Sequence, residues 1–204
     1  HRCLWVNGND GTSIANGVML SATTLQITGN RGVQEFSFPS GTSLADVATA
    51  INSRTALTGV TADLINDSIA SGLVFQAEEY GSGSFVSVER VTNGTPSNGI
   101  EFFKFANNAD VPDFTPTFDW TGLTGSGALV SATRDIGRDV TALVNGSLAN
   151  GDGLDVSINS TAVSVELQLA ESFATDPNSA NSTFDITGGG ALFQLGPEVT
   201  ALQQ

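Results

Sequence analysis

One histidine and one cysteine, His1 and Cys3, occur in this sequence, both at its start. A Ser-His-Asp or Cys-His nucleophile needs an imidazole base inside the fold, and zinc needs several His or Cys ligands. Neither requirement is met, and the terminal His-x-Cys pair reads as a free end rather than a metal grip. Carboxylates are the remaining reactive groups. Glu78 and Glu79 are adjacent, and on a strand neighbours point to opposite faces, so they are poor partners for two-carboxylate hydrolysis of a glycosidic bond. Asp135 and Asp139 flank Gly137 beside Arg134 and Arg138, which reads as a solvated, charge-compensated loop. Hard-oxygen ligands for calcium are offered by Asn150, Asp152 and Asp155, and by Asn7, Asn9 and Asp10. Neither set follows the EF-hand spacing, and Asn-Gly-Asp-Gly is first of all a turn. Gly188-Gly189-Gly190 lacks the Gly-Lys-Ser/Thr end of a phosphate loop and the βαβ setting of a dinucleotide site. It reads as a point where the backbone leaves a domain. Five Asn-x-Ser/Thr sequons, at Asn66, Asn93, Asn145, Asn159 and Asn181, are of the number a Ser/Thr-rich sequence produces by chance. No catalytic, cofactor-binding or metal-binding residue is nominated.

Charge narrows the partners. Twenty-one acids face seven bases, a net charge of −14 over 204 residues, and Lys104 is the only lysine. Binding to nucleic acid draws on cations that neutralise phosphates, and an anionic membrane surface repels the protein for the same reason. No apolar run reaches the ~18 residues that span a bilayer. A single cysteine excludes an intrachain disulfide. The length suffices for a hydrophobic core without such staples. Twenty-three glycines and twelve phenylalanines, with abundant Val, Thr and Ile, favour strands and turns over long helices.

The elements that would position these residues can be read in order. Short strands are expected at Leu4–Val6 and Gly17–Leu20. Thr24-Leu25-Gln26-Ile27-Thr28 alternates apolar and polar residues, Gly29-Asn30-Arg31-Gly32 turns, and 33–38 returns with Phe36 and Phe38 on one face, giving a hairpin. Ser43 is an N-cap with Asp46 three residues on. Leu44, Val47, Ala48 and Ile51 make one apolar stripe, so a helix is expected over about 43–57, ending before Gly59. Val60–Ile65, Gly72–Gln76 and Phe85–Val91 complete a ββαβββ order. Glu101–Phe105, Asp139–Val144, Leu154–Ile158, Thr161–Leu169 and Thr183–Thr187 read as further strands. Pro112 and Pro116 break the intervening segment. The fold class expected is α+β: β-rich, with antiparallel sheets, one main helix and two lobes. The division is a 1–92 lobe, a 93–127 connector or insertion, and a second β-rich lobe over 128–204.

Two segments resemble one family. Ile27-Thr28-Gly29-x-x-Gly32, Gly41-Thr42-Ser43-Leu44-Ala45-Asp46-Val47, Ala50-Ile51-Asn52 and Thr58-Gly59-Val60-Thr61-Ala62 are similar to the hook IN motif of bacterial flagellins and flagellar hook-associated proteins. Gly137-Arg138-Asp139-Val140, Val144-Asn145-Gly146 and Thr187–Gly196 resemble the later half of the variable region of some large flagellins. The resemblance implies a structural, non-catalytic domain displayed outside the cell on a flagellar filament. Its partners would be other flagellin subunits, contacted through flanking coiled helices that 1–22 and the sequence end do not contain. It implies no cofactor, nucleic acid or membrane, and an isolated piece that is monomeric or weakly associating. The sequence is expected to be an excised piece, since no initiator Met precedes His1; no signal peptide is visible. The alternative from another class is an extracellular glycan- or surface-binding module, with Trp5, Tyr80 and Trp120 as stacking residues. A carboxylate hydrolase would need two close acids in a deep cleft.

Overall fold

The computed structural model describes residues 3–8, 10–11, 13–65, 72–91, 100–106, 129–159, 164–176 and 181–185. His1, Asn9, Trp120, Pro112, Pro116, Asn66, Asn93 and the Gly188–Gly190 return lie outside them. The strands are β1 (Cys3–Val6), β2 (Ile14–Ala15), β3 (Val18–Met19), β4 (Thr23–Gly29), β5 (Gly32–Phe38), β6 (Val60–Ile65), β7 (Gly72–Ala77), β8 (Phe85–Arg90), β9 (Phe102–Phe105), β10 (Leu129–Ser131), β11 (Arg134–Ile136), β12 (Leu143–Val144), β13 (Ser147–Leu148), β14 (Asn150–Asp152), β15 (Asp155–Asn159) and β16 (Ser164–Gln168). The helices are α1 (Leu44–Asn52) and two single turns, α2 (Thr55–Thr58) and α3 (Glu171–Ala174). The fold is α+β and β-rich, and every pairing among the described strands is antiparallel.

Two sheets face each other. One has the order β10-β9-β1-β7-β6, the other β11-β8-β4-β5. The core between them takes Leu4, Leu73 and Phe75 from the first sheet and Leu25, Ile27, Val86 and Val88 from the second. Strand periodicity explains the choice, because alternate residues share a face. In β1, Leu4 and Val6 enter this core, while Cys3 and Trp5 enter a second cluster on the opposite face with Val74 and Leu129. Trp5 meets Phe105 edge to face there, at 5.5 Å. Strand β7 is buried throughout because both of its faces are covered, which is why its sequence is a nearly unbroken apolar run rather than an alternation.

The core is closed on one side by α1, whose Leu44, Val47, Ala48 and Ile51 are buried. Ser43 Oγ is the helix cap: it accepts from the Asp46 N–H at 3.1 Å, and the same hydroxyl donates to the Asp46 carboxylate at 2.7 Å. The main helix is shorter than the expected 43–57. It stops at Asn52, Arg54 leaves helical geometry (φ −120°, ψ 11°), and α2 resumes for one turn. The break frees Asn52 and Thr55 to bind β6 instead of lying along a straight helix.

Strands β9 and β10 join the first sheet and β11 joins the second, so this two-sheet body draws in strands as far on as Ile136. Beyond it stand the β12–β13 hairpin, the three-stranded sheet β14-β15-β16 and α3. Two strand expectations need correction here. Only Leu143–Val144 of 139–144 is strand. Asp139 and Val140 instead bond across the turn at Gly153, which pulls them out of a ladder. Residues 183–185 have no regular structure. Strand β2 and the α3 turn, not expected from periodicity, are too short to show any.

Ile51 is fully buried, whereas Leu143 is 70% exposed. Ile51→Ala should lower unfolding free energy by about 2–5 kcal/mol and Leu143→Ala by less than about 0.5 kcal/mol. Urea midpoints read at unchanged m-value test this; equal losses would contradict the placement of the core.

Candidate functional site

The most constrained place in the two-sheet body is where the β4–β5 turn meets the end of α2. The Arg31 N–H donates to the Thr58 carbonyl at 3.3 Å. A Cβ on Gly29 would overlap that same carbonyl, and one on Gly32 would press on the carbonyl of Leu57. Gly59 follows α2 in the left-handed region (φ 74°), with its N–H bonded to the Thr55 carbonyl at 2.7 Å. This is the glycine C-cap geometry that a β-carbon penalises. Asn30 stands against Gly59. Backbone touches backbone across this joint, and only glycine permits the approach.

The joint sets the next contacts. Among the described strands, β6 lies at the edge of its sheet, and its outward N–H and C=O groups need partners. The Asn52 amide supplies two: it donates to the Ala62 carbonyl and accepts from the Ala62 N–H, each at 2.8 Å. Thr55 Oγ1 donates to the Val60 carbonyl at 3.0 Å, and the Val60 N–H donates to Thr58 Oγ1 at 3.1 Å. Helix residues thus stand in for a neighbouring strand. Arg31 clamps the outside of the joint with ion pairs to Glu78 (2.5 Å) and Glu79 (2.7 Å). Its hydrogen bond holds the Glu79 carboxyl below its usual range.

Residues 24–79 match the family model described as the flagellin hook IN motif. No curated protein matches the sequence. Among solved structures, it is similar to the flagellar cap protein FliD from Pseudomonas aeruginosa PAO1 (17% identity, TM-score 0.47, 83% of this chain and 74% of that chain). It is similar also to the FliD D2–D3 domains from Serratia marcescens (16%, 0.41, 82% and 86%) and from Escherichia coli (13%, 0.43, 76% and 69%).

The residues of the matched segment have physical roles in the fold. Gly29, Gly32 and Gly59 permit the backbone joint, Ile51 fills the core, and Asn52 seals the edge of β6. Asn52 is legible in the sequence as part of a motif; its role is not, because Ala62 lies ten residues on in another element.

The other acids are placed differently from the sequence reading. Glu78 and Glu79 lie just past β7 and converge on one guanidinium instead of pointing apart. Asp135 and Asp139 do not share a solvated loop. Asp135 lies in β11 and is buried; it accepts from the Cys3 N–H at 3.2 Å, with Lys104 Nζ at 3.8 Å. It bridges the two sheets, while Arg134 stacks on Phe85 at 4.1 Å. Asp139 Oδ1 accepts from the N–H groups of Ser82 and Gly153, each at 2.9 Å. It ties the turn before β8 to the turn between β14 and β15. The Gly153 backbone bond, followed by bonds from Ser82, holds its carboxyl below the usual aspartate range. Gly81 and Gly153 pack closely beside it, and the half-buried Tyr80 phenol is pushed up by burial and by its bond to Glu171. Asp139 therefore pins the outlying three-stranded sheet to the two-sheet body.

Of the calcium candidates, Asp10 accepts from the Ser13 and Ile14 N–H groups and from Ser13 Oγ. Asp152 and Asp155 sit opposite each other on β14 and β15, in a shallow polar groove that also carries Asn150, Ser157, Glu166 and Gln168. No group of three or more His, Cys, Asp or Glu suited to a metal occurs among the described residues. Trp5 is fully buried and so is not a surface for stacking a sugar.

Gly29→Ala should cost about 1–3 kcal/mol by overpacking, and Asn52→Leu about 1–3 kcal/mol by orphaning the Ala62 amide groups, both read from urea unfolding; silent substitutions would remove the joint's importance. For Asp139 the sign follows from its lowered folded value: its contribution is complete above the ordinary aspartate value of about 3.9 and is lost as pH falls through the lower folded value. Asp139→Asn keeps an acceptor oxygen and should flatten the acid limb of a stability–pH profile below about pH 4. An unchanged limb would show that Asp139 does not couple folding to protons.

Proposed function

We propose that this protein is a structural part of the bacterial flagellum: an outer, surface-exposed domain of a filament subunit of the flagellin type, without catalytic activity. The observation that carries the reading is the hook IN match over 24–79, in which Gly29, Gly32, Gly59 and Asn52 serve backbone approach and edge pairing. Asp135, Asp139, Glu78 and Glu79 likewise hold backbone and guanidinium groups in place.

Other features suit a displayed domain. A net charge of −14 discourages lateral clumping of copies crowded on a polymer. Export of an unfolded subunit through a narrow channel is simplest without disulfides, and the single cysteine forms none internally. No helix among the described residues is long and apolar enough to cross a membrane. The partners in this reading are further filament subunits, met through helices that flank this domain, and the setting is extracellular.

Immunogold labelling of intact source cells with antibodies raised against this protein tests the reading. Gold along the length of flagellar filaments is expected. Gold confined to filament tips would reassign the domain to a cap, and gold absent from flagella would overturn the proposal.

A further inference from the structure

Two hairpins carry the same Asn-Gly dipeptide in the same left-handed turn. In the β2–β3 hairpin, Asn16 and Gly17 have φ 54° and 71°; in the β12–β13 hairpin, Asn145 and Gly146 have φ 51° and 81°. Such turns suit two-residue hairpins. Their embedding differs completely. The Gly17 N–H donates to the Gly8 carbonyl and its own carbonyl accepts from Leu44, each at 2.9 Å. The flanking Ile14 and Met19 are buried. Around Gly146 a Cβ would meet nothing within 4 Å, and Asn145 and Gly146 are both exposed. The hairpin ladder pairs Leu143 with Leu148 and Val144 with Ser147, and the two leucines are 70% and 69% exposed. Little burial holds this turn in shape, so it opens at the low end of the stability range.

We propose that Asn145-Gly146 is a self-modification site of the folded protein, converting to aspartate and isoaspartate, while Asn16-Gly17 is protected by its tertiary hydrogen bonds. The Gly146 backbone nitrogen loses its proton to hydroxide and attacks Asn145 Cγ. The Cγ–Nδ2 bond of Asn145 breaks, ammonia leaves, and a succinimide ring joins the two residues. Water then opens either of the two ring bonds between nitrogen and carbonyl carbon. One water is consumed and one ammonia released, with no oxidant or reductant. The product carries one more negative charge between Leu143 and Leu148. In the isoaspartyl form an added backbone methylene ends the turn geometry. Attack requires the Gly146 nitrogen to swing toward the Asn145 amide, which the short hairpin allows. At Gly17 the attacking nitrogen is already committed to Gly8, and rotation would break the Leu44 bond as well. Asn150-Gly151 is a second control. Gly151 lies in the β14–β15 ladder opposite Val156, packed against the Val140 carbonyl.

The test is peptide mass spectrometry of the folded protein after incubation at mildly alkaline pH, scoring amide-to-acid conversion at Asn16, Asn145 and Asn150, with a parallel sample in urea. Conversion at Asn145 should exceed that at Asn16 and Asn150 by about tenfold or more in the folded protein, since only its turn opens at low cost. In urea the three should converge. Conversion at Asn145 no faster than at Asn16 in the folded protein would overturn the proposal, as would a tenfold preference that survives in urea, because the cause would then be local sequence.

Discussion

Two pieces of backbone touch where the β4–β5 turn meets the end of α2, with no bulky group between them. Gly29 lies under the Thr58 carbonyl, Arg31 donates to that carbonyl, and Gly59 turns left-handed beside Asn30. A β-carbon at Gly29 or Gly32 would press on a backbone carbonyl and force the segments apart. Once they touch, α1 and α2 can only run along the side of the two sheets, and Asn52, Thr55 and Thr58 fall opposite the free edge of β6. The sealed edge and the buried α1 stripe then close the core. Sheet pairing, helix placement and edge protection in the hook IN region therefore share one geometric origin.

The outlying sheet is attached by different physics. Among the contacts of the region beyond β11 with the two-sheet body are a carboxylate holding two N–H groups, a bond from the Tyr80 phenol to Glu171 of α3 and a glycine-to-glycine approach. These are directional contacts. Beyond β11, only Ala149 and Val156 among the described apolar residues are buried. Local opening in this region should be easier than in the hook IN region. A polar pin also suits a domain of strongly negative charge, where added apolar contacts would invite association.

Short-range signals are legible because their causes lie within a few residues. The 23–38 hairpin follows from alternation around a turn, and the start of α1 follows from Ser43 and Asp46. The end of α1 is not legible, because its apolar stripe carries no record of Asn52 and Thr55 turning toward β6. Alternation misleads at Glu78 and Glu79 because it stops applying once β7 ends. Asp135 looks solvated beside its arginines, yet it is buried against the backbone of Cys3, 132 residues away.

The sequence by itself determined the class of fold, the hairpin and its turn, the capped helix and the net negative charge. Each depends on residue volume, charge or torsional preference, which neighbouring residues fix. Only the tertiary structure decided that Trp5 is buried, which aspartate bridges sheets and which pins the outlying sheet, and which of two identical Asn-Gly turns is held. Those outcomes depend on loop closures between distant segments, where one carbonyl or amide finds its partner only after the sheets have met.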